Sequence, residues 1–137
     1  MPRILALDIG SVRIGVAVSD PLGIFAQGVA VLKAKKDWLS ELEKLAAEYE
    51  NPVILLSLPK RTTGEEGPEA ENIREKAELI RTRLPQSEIR FWDERFTTVI
   101  ANQVLLEADV SRQGRKQSVD KIAATLLLQN YLDSLKG

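Results

Sequence analysis

A carboxylate interrupts the apolar segment near the start of this chain, and this feature constrains the fold more than any other. Residues 3–9 read Arg-Ile-Leu-Ala-Leu-Asp-Ile, and a second segment rich in Val and Ile occupies residues 13–19. The pattern predicts two consecutive β-strands joined by a short turn. An ionised carboxylate among strand residues is costly to bury unless it is paired or binds a metal. Asp8 therefore either hydrogen-bonds the turn or belongs to a functional site.

Two glycines, Gly10 and Gly15, follow this carboxylate. Glycine lets a backbone turn tightly, and it also leaves room for a large anionic ligand to approach the backbone. The sequence leaves both interpretations open.

Further acidic residues lie at the ends of two predicted elements. Asp93 and Glu94 end the apolar segment at residues 88–93, and Asp120 lies in the first turn of a helical pattern that Ser118 is expected to cap. Carboxylates that converge from separate elements are typical of Mg²⁺ and Mn²⁺ sites, because hard cations prefer oxygen ligands. Adjacent strand residues point to opposite faces, so only one of Asp93 and Glu94 is expected to bind the metal.

The order of predicted elements indicates an α/β fold. Three consecutive strands should form an antiparallel meander, and helices then alternate with two further strands. The order βββαβαβαα predicts a five-stranded mixed sheet flanked by helices. The predicted strands cover residues 3–9, 13–19, 24–33, 53–58 and 88–93, and the predicted helices cover residues 37–50, about 69–84, from Thr97 or Thr98 to about Ala108, and about 118–135.

Composition narrows the chemistry that is open to the chain. Its 137 residues are 44% hydrophobic and 28% charged, which predicts one globular domain spanning residues 1–137. The absence of cysteine and histidine excludes disulfides, thiolate and imidazole metal sites, and any Cys nucleophile or His base. Hydrolysis would have to use carboxylates, Lys, Tyr or metal-bound water. Without an apolar run of about 18 residues or a secretory leader, we expect a cytoplasmic protein that makes no membrane contact.

Positive charge is local in this chain, because the net charge is only −1. Arg112, Arg115 and Lys116 cluster just before the Asp120 helix, in a segment expected to be flexible, and we expect them to contact phosphate. Lys60 and Arg61 lie in the loop at residues 60–68. The basic residues of the helix at 69–84 are interpreted as a solvated face: Arg74, Lys76, Arg81 and Arg83.

Motifs along nearly the whole chain carry a family resemblance. In chain order they are Asp8-Ile9-Gly10 with Arg13-Ile14-Gly15-Val16-Ala17 and Ser19-Asp20, Leu58-Pro59 with Gly64-Glu65-Glu66-Gly67-Pro68, Asp93-Glu94-Arg95-Phe96-Thr97-Thr98, and Asp120-Lys121-Ile122-Ala123-Ala124 with Leu128-Gln129. Together they resemble the motifs of the YqgF family, also called RuvX-type, within the RNase H-like nucleases. Two departures are Phe96, where the family usually has Leu, and residues 60–63, which replace an Asn-rich stretch.

The resemblance implies an RNase H-like fold and an endonuclease that uses two Mg²⁺ or Mn²⁺ ions to hydrolyse phosphodiester bonds in structured nucleic acid. Asp8, Glu94 and Asp120 would be the catalytic residues and metal ligands, with Asp93 as the second choice. Arg95 suits a phosphate or a neighbouring carboxylate equally. The residues assigned to nucleic-acid binding are Arg13, Lys60, Arg61, Arg95, Arg112, Arg115 and Lys116.

Two substrates are implied, and the residues do not decide between them. The favoured one is precursor ribosomal RNA, trimmed at the 5′ end of 16S rRNA, which would make the ribosome a partner. The other is a four-way DNA junction in recombination and repair. A Holliday junction resolvase needs two active sites and hence a homodimer.

Two other classes of function compete with the nuclease. A non-catalytic factor that binds nucleic acid or the ribosome would fit the near-neutral charge and the basic segment, but it would gain nothing from carboxylates that face phosphate. An ATP-binding protein of the actin-like superfamily shares the strand-Asp-x-Gly opening. The chain is short for that superfamily and lacks a second domain to close over a nucleotide.

Overall fold

The structure is a computed structural model that describes residues 2–60, 63–93 and 115–136. In these ranges the chain forms five strands and three helices. They are β1 (Ile4–Ile9), β2 (Arg13–Ser19), β3 (Ala26–Lys33), α1 (Trp38–Glu48), β4 (Val53–Leu58), α2 (Pro68–Arg83), β5 (Ile89–Asp93) and α3 (Arg115–Ser134). The helix predicted from Thr97 or Thr98 to Ala108 lies outside the described residues.

The strands form one mixed sheet in the order β3-β2-β1-β4-β5. β2 is antiparallel to β1 and to β3, whereas β1, β4 and β5 run parallel. The α/β fold with a five-stranded mixed sheet, predicted from the alternation of elements, is confirmed. The carboxyl ends of the three parallel strands meet at one edge of the sheet, which is where open α/β sheets usually bind ligands.

Alternation along the strands divides the core between the two faces of the sheet. Leu5 and Leu7 point to the face covered by α1 and α2. Ile4 and Ala6 point to the other face, which α3 covers. Residues 53–56 of β4 are buried on both faces, as their continuous apolar run predicts. By the same alternation, Asp8 belongs to the face covered by α3.

Two element boundaries differ from the sequence predictions for identifiable reasons. β3 begins at Ala26, because Asp20 accepts hydrogen bonds from the backbone N–H groups of Ile24 and Phe25 at 2.7 and 3.1 Å and holds them in the turn. α3 begins at Arg115, so the prediction that Ser118 caps it is wrong. Residues 115–117, Arg-Lys-Gln, favour helix and extend α3 toward the N-terminus. Asp37 caps α1 by accepting a hydrogen bond from the N–H of Ser40.

Gln129 of α3 ties the turn between β2 and β3 to the helix. Its side chain accepts a hydrogen bond from the N–H of Ala26 and donates one to the carbonyl of Ile24, each at 2.9 Å. The end of the turn that leads into β3 is therefore held to the helix, although Leu22 and Phe25 of the turn are exposed. In the described part of the chain, no helix is long and apolar enough to cross a membrane.

Candidate metal and nucleic-acid site

Asp8 lies where the parallel strands end. It pairs in register with Gly15 of β2, and the register of β1 with β4 brings its position beside Ser57. Asp8, Ile9, Ser57 and Pro59 line an open pocket of about 210 Å³. The N-terminal half of α2 completes the pocket through Glu69, Asn72 and Ile73. Asp8 is therefore half-buried beside an open pocket at the edge of the sheet and is not enclosed in the core.

Gly15 is the contact point that brings α3 down onto Asp8. A Cβ atom at Gly15 would lie 2.1 Å from the carbonyl oxygen of Asp120 and 2.7 Å from its carbonyl carbon. No side chain fits at that separation, so only glycine allows the first turns of α3 to lie directly on β2. Because Gly15 is the register partner of Asp8, this contact brings Asp8 and Asp120 to the same corner of the sheet.

Asp120 forms an ion pair with Arg13. Arg13 Nε lies 2.7 Å from Asp120 Oδ2, and the two side chains are 34% and 25% exposed. Arg13 and Gly15 are two residues apart on β2, so both point to the face that α3 covers. The geometry thus places two carboxylates and one guanidinium at this corner.

The third predicted carboxylate lies only partly within the described residues. Asp93 ends β5 in register with Leu58, whereas Trp92 packs on the face covered by α3. Asp93 therefore points to the face opposite Asp8, which argues against it as a metal ligand. Glu94 lies outside the described residues. Among the residues that the structure describes, no group of three or more carboxylates is close enough to bind a metal ion.

The loop after β4 is held to α2 by a bidentate ion pair. Arg74 Nε and Nη2 donate to the two carboxylate oxygens of Glu66 at 2.7 and 2.8 Å. The hydrogen bond from Arg74, together with the positive charge of Lys60, lowers the pKa of Glu66 below its ordinary value. The Arg74 guanidinium also lies 4.8 Å from the ring centroid of Phe91, a cation–π contact. Lys60 therefore lies close enough to Glu66 for its charge to act on that carboxylate.

Arg81 and Arg83 of α2 are exposed to solvent, as predicted. Arg81 pairs with Glu78 and Arg83 with Glu43, and all four side chains are at least 41% exposed.

The remaining predicted phosphate contacts fall largely outside the described residues. Arg61, Arg95 and Arg112 are not among them, nor are the side chains of Arg115 and Lys116. The backbone of the last two residues is helical, so they lie within α3 and not in a segment that precedes it, as the sequence predicted. Their positions are at the N-terminal end of α3, within about one and a half turns of Asp120.

Two features of this site escaped the sequence interpretation. The space at Gly15 accommodates a helix, whereas the sequence suggested a turn or an approaching ligand. Arg13 was assigned to nucleic acid, yet it contacts Asp120, 107 residues away in the chain. One signal was present in the sequence: Gly15 and Ala17 are small residues two apart on one strand, as a closely packed helix requires.

Comparison with known proteins agrees with this fold. Residues 2–134 match the family model described as RuvX, Holliday junction resolvase. A candidate pre-16S rRNA nuclease from Clostridium botulinum is 50% identical over 135 residues, which cover 97% of this chain and 98% of that protein. A protein of the same name from Clostridium novyi is 47% identical, and the match covers 97% and 99% of the two chains.

Solved structures of low sequence identity share the fold. Thermus thermophilus RuvC, solved in complex with a Holliday junction substrate, has a TM-score of 0.59 and 10% identity, with 98% of this chain and 96% of that chain covered. The Holliday junction resolvase of fowlpox virus has a TM-score of 0.57 and 18% identity, with 97% and 99% covered.

Proposed function

The chain belongs to the RuvX family, and from this premise we propose that it is a metal-dependent endonuclease that matures the 5′ end of pre-16S rRNA. Family membership makes it a hydrolase that acts on nucleic acid. The observation that carries the metal-dependent part of the proposal is the contact of Gly15 with Asp120, which brings two carboxylates from distant segments to one open corner of the sheet. We further propose that residues 1–137 act as a single RNase H-like domain.

The donor set at this corner suits a hard divalent cation. Asp8 and Asp120 offer carboxylate oxygens, and the chain contains neither cysteine nor histidine. Mg²⁺ and Mn²⁺ prefer oxygen ligands, so the residues fit the two-metal site proposed here. Bound there, the metal would supply Lewis-acid stabilisation of phosphodiester charge and a water of lowered pKa.

Glu94 is the proposed third ligand, with Asp93 as the second choice. In β5, Trp92 lies on the face of Asp8 and Asp93 on the other. Asp93 therefore faces away from Asp8, which leaves Glu94, the residue that the family motif assigns, as the better candidate. The reacting phosphate would be held through the metal that Asp8, Glu94 and Asp120 bind. No side chain would be needed as a general base.

Cations around this corner would orient the nucleic-acid backbone. Arg115 and Lys116, at the start of α3, precede Asp120 and suit contact with phosphate close to the cleaved bond. The proposed set also includes Arg13, Lys60, Arg61, Arg95 and Arg112. Since these contacts are to phosphate, they set register and affinity rather than sequence preference.

Pre-16S rRNA is the favoured substrate because relatives about half identical over nearly the whole chain bear that name. Acting on it would bring the protein to the assembling ribosome in the cytoplasm. Holliday junction resolution is the second candidate, favoured by the description of the family and requiring a homodimer. A non-catalytic RNA-binding role fits less well, because carboxylates at the corner would repel phosphate unless a metal joins them.

The deciding experiment compares cleavage of a pre-16S rRNA fragment and a synthetic four-way DNA junction, side by side, in Mg²⁺ and in Mn²⁺. We expect metal-dependent cleavage of the RNA and none by Asp8→Asn. Cleavage of the junction alone would reassign the substrate. No cleavage of either substrate, with RNA binding retained, would favour the non-catalytic alternative.

A further inference from the structure

Arg13 places a positive charge at the corner where the proposed metal would bind. Its Nε donates to Oδ2 of Asp120, one of the two described carboxylates proposed to bind metal. A guanidinium and a divalent cation compete for the same carboxylate, both by direct occupation of an oxygen and by repulsion between their charges. The ion pair is therefore expected to oppose metal binding.

The backbone on both sides of this ion pair is fixed. The N–H of Gly10 donates to the carbonyl of Arg13 at 2.9 Å, which closes the turn before β2. At the other end, the carbonyl of Asp120 is in contact with Gly15. Because both backbone segments are held by these contacts, we expect the pair to separate by a change of side-chain rotamer. About a third of the Arg13 side chain is exposed, and solvent is therefore available to the guanidinium when it leaves.

Arg13 also faces the second carboxylate of the corner. Asp8 is the register partner of Gly15, and Arg13 is two residues from Gly15 on the same face. Diagonal neighbours of this kind lie within reach of a long side chain. One cation is thus paired with Asp120 and lies at a register position within reach of Asp8.

We propose that Arg13 is the counter-ion of the metal-free site and releases Asp120 when the metal binds. Its charge offsets the repulsion between the carboxylates of Asp8 and Asp120 when no metal is bound. The same charge lowers the affinity of the site for metal. The inference rests on the proposed metal site, but it adds an element that the nuclease function does not require, namely an internal cation that competes with the metal.

Replacing Arg13 by Gln tests the competition directly. Gln removes the charge and keeps a polar side chain. Solvent screens most of the repulsion between the Arg13 charge and the metal, and the part that remains should make Mn²⁺ binding by Arg13→Gln about ten-fold tighter than by wild type. Arg81→Gln is the matched control, because it removes the same charge from an exposed position on α2. Affinity is measured by calorimetric titration with Mn²⁺ alone, without nucleic acid.

The outcomes separate this inference from the proposed function. Tighter binding by Arg13→Gln, with Arg81→Gln unchanged, supports the competition. Unchanged or weaker binding by Arg13→Gln overturns it, and weaker binding would show that Arg13 orients Asp120 for the metal. If wild type and Asp8→Asn bind Mn²⁺ equally, or neither binds it, the metal site itself is wrong.

A second measurement needs no Arg13 variant and therefore does not depend on that variant folding. The Nε–H signal of Arg13 can be followed by ¹⁵N NMR during titration with diamagnetic Mg²⁺, and Asp120→Asn identifies the shift that the ion pair causes. We expect Mg²⁺ to move the wild-type signal toward its position in Asp120→Asn. A signal that stays in place while other resonances at the site report Mg²⁺ binding would overturn the inference.

Discussion

A single added methyl group at Gly15 should separate the two carboxylates of the site. In Gly15→Ala the new Cβ would lie 2.1 Å from the carbonyl oxygen of Asp120 and 3.4 Å from the Cβ of Ala124. The closest atom belongs to helix backbone, which cannot rotate away as the end of a flexible side chain can. To restore ordinary contact at about 3.4 Å, the start of α3 has to move by more than 1 Å.

The magnitude follows from two opposing effects. Forcing an extra carbon into a well-packed contact costs typically 1–3 kcal/mol. Gly→Ala also stabilises by about 0.4–1 kcal/mol, because alanine has less freedom in the unfolded chain. We expect the free energy of unfolding of Gly15→Ala to fall by about 1–2 kcal/mol, and cleavage to fall about 100-fold, as a displacement of about 1 Å can cause.

Gly28 provides a matched control under the same helix. A Cβ there would lie 3.1 Å from Lys121 Cβ and 3.1 Å from Thr125 Oγ1, both side-chain atoms. Gly28→Ala gains the same chain entropy, so the difference between the two variants isolates the backbone contact at Gly15. Urea unfolding and Mn²⁺-dependent cleavage are measured on both. Equal stability and equal cleavage in the two variants would refute the claim that Gly15 sets the site.

Three further predictions concern separate parts of the molecule. Asp8→Asn should lose at least about 100-fold in cleavage while its free energy of unfolding, measured in metal-free buffer, stays within about 1 kcal/mol of wild type, because the side chains are nearly isosteric. Hydrogen bonds from Ile24 and Phe25 lower the pKa of Asp20, so the stability that they give is complete above the ordinary pKa of 3.8 and is lost as the pH falls below it. In Asp20→Ala, the free energy of unfolding should therefore fall less steeply on acidification than in wild type. Replacing Arg112, Arg115 and Lys116 by Ala should weaken substrate binding and reduce its salt dependence by roughly one unit of log–log slope per lost phosphate contact, with little change in cleavage at saturating substrate.

Each of these predictions has a result that contradicts it. Full turnover by Asp8→Asn would remove Asp8 from the metal site. Parallel acid-unfolding profiles of Asp20→Ala and wild type would mean that the turn contributes no pH-dependent stability. A salt slope no smaller than that of wild type would mean that these three basic residues do not contact phosphate. The comparison on α2 is the triple variant with Lys76, Arg81 and Arg83 replaced by Ala, because it removes the same number of positive charges.

The sheet could be predicted from the sequence because its signals are local. The alternation in residues 13–19 and the continuous apolar run of residues 53–58 each identify a strand without knowledge of its neighbours. Asp8 could also be identified as a candidate site residue from its immediate neighbours, because it is a carboxylate in an apolar strand. Five strands and the helices between them therefore lie within a few residues of their predicted positions.

The internal arrangement of the site could not be predicted, because it depends on contacts between distant parts of the chain. Arg13 and Asp120 are 107 residues apart, and nothing in either segment indicates that they form an ion pair. Similarly, the sequence shows a glycine at position 15 but not which element passes over it. The start of α3 was misplaced because Ser118 suits a helix cap, although three good helix formers precede it.

The central claim is that Asp8 and Asp120 together bind the catalytic metal, and anomalous scattering from Mn²⁺ in crystals of the wild-type protein tests it most directly. We predict an anomalous peak in contact with carboxylate oxygens of both residues, and its loss in Asp8→Asn crystals prepared in the same way. A peak that leaves Asp120 paired with Arg13 and contacts neither carboxylate, or a site without any peak at saturating Mn²⁺, would contradict the account.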